Sequence, residues 1–67
     1  MEGIRAKREA LDITQKQLAD KMGVERSTVA KWEAGAAFPS ASKLPKLAEV
    51  LGCSVADLFA KQGPELA

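Results

Sequence analysis

Residues 15–32 read QKQLADKMGVERSTVAKW, and this stretch decides the fold. It holds two short helical blocks separated by Gly23, with no room for a long loop. The first block opens at Thr14, whose hydroxyl can cap the helix while Gln17 reaches back to it, a capping box. Leu18, Ala19 and Met22 supply its apolar face, and Gly23 supplies a C-terminal stop. The second block runs from about Glu25 to Ala34 and ends at Gly35. Val29, Trp32 and Glu33 fall at i, i+3 and i+4 and share one face. Ser27, Ala30, Lys31 and Ala34 share another, which is small and polar. The first face turns inward and the second is shaped for close approach to something outside. Ala19 sits where a bulkier residue would force the two helices apart, and Val24 plugs the turn. A helix-turn-helix of this kind holds its second helix at a steep angle, so that it protrudes.

Working outward, the segment before it predicts a helix over about Glu2 to Ala10, with Ile4, Ala6 and Leu11 available for burial. Asp12 then takes the position where helices commonly end in a left-handed residue, a conformation Asp tolerates less well than Gly. Downstream, Pro39 and Ser40 punctuate a loop. Leu44, Leu47, Ala48 and Leu51 form the stripe of a fourth helix, started near Ser42 so that Pro45 lies in its donor-free first turn, and stopped at Gly52. Ser54 caps a short fifth helix with Asp57 in its first turn. Leu58 and Phe59 are expected to anchor it. Gly63 and Pro64 mark the end of order, giving a domain over residues 1–62 and a frayed tail over 63–67. Strand signals are almost absent, since β-branched residues never alternate over a useful length.

Composition narrows the chemistry. Sixty-seven residues allow one domain, and a chain this short buries only about 60% of the surface its unfolded form exposes. Alanine accounts for 12 residues, which favours helix while filling little core volume. Ten Lys and Arg against nine acids leave a net charge of +1, so any nucleic-acid role depends on how charge is arranged. Without His, imidazole catalysis and imidazole metal sites are excluded. There is no phosphate-cradling glycine loop, and no cofactor or metal site is expected. The expectation is a non-enzyme. The single Cys53 forms no internal disulfide, which suits a reducing compartment. No apolar run approaches the ~20 residues of a membrane span, and the N-terminus lacks the pattern of a signal peptide. A soluble, cytoplasmic, helical domain is expected.

The string TQKQLADKMGVERSTVAKWEAG resembles the helix-turn-helix of phage repressor/Cro-type (xenobiotic-response-element-type) DNA-binding domains. LPKLAEVLGCSVADLF is similar to the fourth and fifth helices of the same family, so the likeness covers roughly residues 4 to 60. Gln15, Ala19, Gly23, Val24, Val29, Trp32, Glu33, Gly35, Pro39, Leu47, Ala48, Leu51, Gly52 and Leu58 all fall in register. The resemblance implies an all-α, five-helix, lambda-repressor-like fold that binds double-stranded DNA, with the third helix in the major groove and the second across the backbone. It also implies readers of base edges. Arg26 and Lys31 can each reach guanine, Ser27 is permissive, and Glu25 at the leading end of the helix can accept from cytosine N4. Ala30 lets the helix sink and can touch a thymine methyl. Phosphates would be met by Gln15, where free N–H groups and the helix dipole favour an anion, and by Thr28, Arg5 and Lys43. Such contacts set register without reading sequence.

Each of these residues also has a plainer role to weigh. Family positions equivalent to Arg8 and Glu33 pair across the first and third helices, so a structural ion pair outweighs a DNA or catalytic role for both. Trp32, at inward helical spacing, reads as core ahead of a stacking platform. Cys53 reads as a small hydrophobe ahead of a redox sensor, Lys16 and Lys21 as solvated, and Gln17 as a cap. An acid at position 25 is stabilised by the helix dipole whatever the ligand, but it also sets like charge near DNA. The loop from Gly35 to Phe38 lacks the basic residues common in relatives, and Asp12 replaces a usual Gly. These departures predict weak non-specific affinity and a gentle salt slope.

The expected function is a sequence-specific transcriptional regulator, a repressor, working as a homodimer on a palindromic operator. Phe59, Leu66 and the fifth helix are candidates for the dimer surface. The alternative is a protein-interaction module, such as an antitoxin or adaptor, that keeps the fold with weak DNA binding. Near-neutral charge and the Ala36-Ala37-Phe38 loop favour that alternative; the outward-facing set Arg26, Ser27 and Lys31, which packing does not require, counts against it.

Overall fold

The computed structural model describes residues 1–59. Five helices follow in order: α1 (Glu2–Ala10), α2 (Gln15–Met22), α3 (Arg26–Ala34), α4 (Leu44–Leu51) and α5 (Val55–Phe59). Residues 60–67 lie outside the described part, and with them the expected boundary after residue 62, the tail over 63–67 and Leu66. None of the described helices is long and apolar enough to cross a membrane.

Local chemistry sets most of the helix ends. Thr14 Oγ1 accepts from the Gln17 N–H at 3.0 Å while Gln17 Oε1 accepts from the Thr14 N–H at 2.8 Å, closing the capping box. Gly23 then stops α2 with φ +73°, where a side chain would be strained. Asp12 is the one described residue other than glycine with positive φ, at +59°. Ser54 and Asp57 form a second reciprocal cap, each backbone N–H meeting the other side chain at 3.2 Å.

The core gathers a residue or more from every helix. Ile4, Leu18, Ala19, Met22, Val29, Trp32, Leu47, Ala48, Leu51 and Leu58 are all buried, with Val24 and Val55 half-buried against them. α2 and α3 pack most extensively against one another, with Ala19 buried on the inner face of α2. The outward side of α3 is therefore presented by a support that its own inner face helps to build.

Four expectations are corrected. α3 begins at Arg26, with Glu25 as its extended N-cap residue. α4 begins at Leu44 because residues 41–43 form a turn, tied by the Lys43 N–H to the Ser40 carbonyl at 2.9 Å; Pro45 still lies in the first turn. Leu11 is 49% exposed. It sits just past the end of α1, where the left-handed Asp12 diverts the chain. Phe59 does not anchor α5 and is 57% exposed, because Leu58 and Val55 take the inward face of that short helix.

One determinant carries no sequence signal. Gly3 is buried in α1, and a Cβ placed on it would overlap the backbone carbonyl oxygens of Asp57 and Leu58. Its missing side chain is what lets α1 and α5 meet.

Candidate nucleic-acid interface

α3 has two chemically distinct sides. Val29 and Trp32 are buried, whereas Arg26, Ser27, Lys31 and Ala34 are exposed and Ala30 and Thr28 are half-buried. The exposed side carries two cations around small residues, so a duplex edge can approach without displacing bulk. Lys31 has no ion pair among the described residues, leaving its ammonium free for an outside partner. Glu25 is exposed at the leading end of α3 and makes no side-chain cap.

Two further expected residues, Arg5 and Gln15, are gathered beside this face. An open groove is lined by Arg5, Arg8, Gln15, Ala30, Glu33 and Ala34. Arg5 reaches it from α1 while holding Glu9 at 3.1 Å, an exposed i, i+4 pair that contributes little stability. Gln15 stands at the N-terminus of α2, where first-turn N–H groups have no intrahelical acceptor. Lys43 is exposed before α4 and does not line this groove.

Beneath the groove lies a charged cluster. Arg8 Nε donates to Glu33 Oε2 at 2.6 Å and Arg8 Nη2 to Glu33 Oε1 at 3.1 Å, a bidentate pair. The Arg8 side chain is 12% exposed and that of Glu33 5%. Arg8 Nη1 also donates to the Ile13 carbonyl at 2.8 Å, tying the α1–α2 connection to the pair. The hydrogen bonds it donates to Glu33 hold the guanidinium charged even more firmly than usual, against the opposing effect of burial. Among the described residues no buried side-chain nitrogen or oxygen lacks a partner.

The Gln15 side chain makes two hydrogen bonds within the domain. Its Nε2 donates to Glu33 Oε1 at 3.1 Å and its Oε1 accepts from Arg26 Nη1 at 3.1 Å. No reading of spacing alone couples Gln15 to Arg26. The signal available was their separation of eleven residues across a tight turn, which sets the starts of α2 and α3 side by side. Cys53 is half-buried, and burial and Asp57 push its thiol up, against a smaller opposing effect of Lys7.

Two short helices joined at a left-handed glycine, the second baring a cationic polar face, define a helix-turn-helix domain. The family pattern described as helix-turn-helix matches residues 4–58, and the chain belongs to that family, in its phage repressor/Cro-type branch. Among curated proteins it is similar to the cryptic phage CTXphi transcriptional repressor RstR of Vibrio cholerae serotype O1 (strain ATCC 39315 / El Tor Inaba N16961). The two are 33% identical over 57 residues, which is 85% of this chain and 51% of the relative. The chain thus spans about half the length of that protein.

Proposed function

We propose that this domain binds double-stranded DNA sequence-specifically and serves a transcriptional repressor. α3 lies in the major groove and α2 crosses the backbone. The observation that carries this is the division of α3, with Val29 and Trp32 locked into the core while Arg26, Ser27 and Lys31 stand exposed around Ala30. Arg26 and Lys31 read guanine, Ser27 and Glu25 tune the neighbouring positions, and Ala30 meets a thymine methyl. Arg5, Thr28, Lys43 and the first-turn N–H groups at Gln15 set register on phosphates. The likeness to a phage repressor supports the sign of regulation.

Five contact residues at one short helix cover few base pairs, so the domain acts as a homodimer on a palindromic site. Half-sites one helical turn apart are separated by ~34 Å. The longest dimension of the domain, 34 Å, is of the same order as that spacing, which supports contact between copies on adjacent half-sites. Phe38 and Phe59 border one groove with Ala34 and Gly35 at the end of α3, and this exposed apolar surface supports a contact with the second copy there.

The second reading, a protein-interaction module such as an antitoxin or adaptor, is favoured by the same two phenylalanines, 67% and 57% exposed. Selection of bound duplexes from a random-sequence pool separates the readings. A recovered palindrome supports the regulator, and no sequence preference at low salt refutes it. Arg26→Ala with Lys31→Ala then abolishes DNA binding without disturbing the fold.

A further inference from the structure

One carboxylate on α1 stands between two arginines. Arg5 Nε donates to Glu9 Oε2 at 3.1 Å, and the same oxygen lies 3.9 Å from Arg8 Nη2. The two guanidiniums differ in how firmly they are fixed. Arg8 also donates to both Glu33 oxygens and to the Ile13 carbonyl, and its side chain is largely buried. Among the described residues Arg5 bonds only Glu9, and its side chain is 65% exposed. Glu2 and Glu33 border an opening with Arg5 without pairing to it. Arg5 is therefore the one that can leave, and Glu9 then keeps the charge of Arg8 beside it. An exposed pair of this kind adds little to folding, so its consequence falls on whatever else Arg5 can bind.

We propose that Glu9 limits the DNA affinity of the domain by competing with a backbone phosphate for Arg5. The inference rests on the assignment of Arg5 as a phosphate contact made above. Arg5 lines the groove with Gln15, Ala30 and Ala34, beside the outward side of α3. Carboxylate and phosphate oxygens present a guanidinium with the same kind of partner, charged acceptors for a planar fork of donors. Bidentate capture of a phosphate through Nε and its neighbouring Nη requires Glu9 to let go. At any other donor of the fork, the carboxylate charge still opposes a phosphate alongside. The attraction of Arg8 keeps Glu9 in place as a standing competitor. Because phosphate contacts carry no sequence information, the competition weakens matched and random duplexes alike. Glu9 lowers occupancy of DNA without changing which base pairs are preferred.

The test uses the full chain with a random-sequence duplex and a duplex recovered by selection, titrated by fluorescence anisotropy over a salt series. Arg5→Gln should weaken binding to both and lower the salt slope by about one. Glu9→Gln keeps the shape but removes the charge, and should tighten both equally, by about one-and-a-half- to fivefold. In an Arg5→Gln background it should add nothing. Glu2→Gln removes a carboxylate that borders Arg5 without holding it, and should tighten binding less than Glu9→Gln. A gain from Glu9→Gln that persists without Arg5, or that Glu2→Gln matches, would make Glu9 a source of general repulsion and overturn the proposal. If Arg5→Gln leaves affinity and salt slope unaltered, the phosphate assignment itself fails and the competition with it. If Arg5→Gln acts and a folded Glu9→Gln leaves affinity unchanged, only the competition fails.

Discussion

Replacing Arg8 by alanine tests whether the charged cluster under α3 is structural. The change removes a bidentate pair at 2.6 and 3.1 Å and the bond to the Ile13 carbonyl at 2.8 Å. It strands the Glu33 carboxylate, whose side chain is 5% exposed. Breaking a buried ion pair from one side costs about 3–5 kcal/mol, because a charge is left without compensation. The lower end applies here: Gln15 Nε2 still donates to Glu33, and the Arg8 side chain keeps some contact with solvent. A loss of about 3 kcal/mol lowers the melting temperature of a domain this size by roughly 12–24 °C. It is also a large fraction of the ~3–10 kcal/mol that a chain of this length has in total. Far-ultraviolet circular dichroism on heating and in urea measures the loss. The double variant Arg8→Met with Glu33→Leu should recover most of it, since an apolar pair leaves no charge stranded. An unchanged melt for Arg8→Ala accompanied by lost DNA binding would refute this reasoning and make Arg8 a DNA ligand.

Gly3→Ala should destabilise by about 3 kcal/mol or more, since the new methyl meets backbone oxygens of Asp57 and Leu58 that have no rotamer to yield; a wild-type melt would show that α1 and α5 do not approach this closely. Phe59→Glu should leave single-domain folding intact but abolish cooperative occupation of a two-half-site duplex, read by gel shift or sedimentation. Unaltered cooperativity places the dimer contact elsewhere. The Cys53 thiol, raised by burial and by Asp57, should alkylate more slowly at mildly alkaline pH than a free cysteine. Because the folded value lies above the unfolded one, its contribution to stability is complete below the unfolded value of about 8.5 and is lost as pH rises through the folded value. Alkylation at the free-cysteine rate would contradict the burial.

How much of this was legible from residues alone differs from element to element. The ends of α2 follow from Thr14, Gln17 and Gly23, because capping bonds and a left-handed stop are satisfied within a few residues. The inward face of α3 follows from the spacing of Val29 and Trp32, since helical period fixes which side chains share a side. The exposure of Phe59 and Leu11 did not follow. An apolar residue at a helix end is buried only if another element arrives to cover it, and periodicity is silent on that.

Sequence by itself therefore determined the helices, their stops and the polar ridge of α3, all set by interactions within one or two turns of chain. Tertiary structure alone decided that Gly3 must lack a side chain, since the obstacle is the backbone of α5 more than fifty residues away. It alone also joined Arg8, Glu33, Gln15 and Arg26 into one hydrogen-bonded line. Directional bonds among three helices depend on how those helices are set in space, and no spacing along a single strand of residues encodes that.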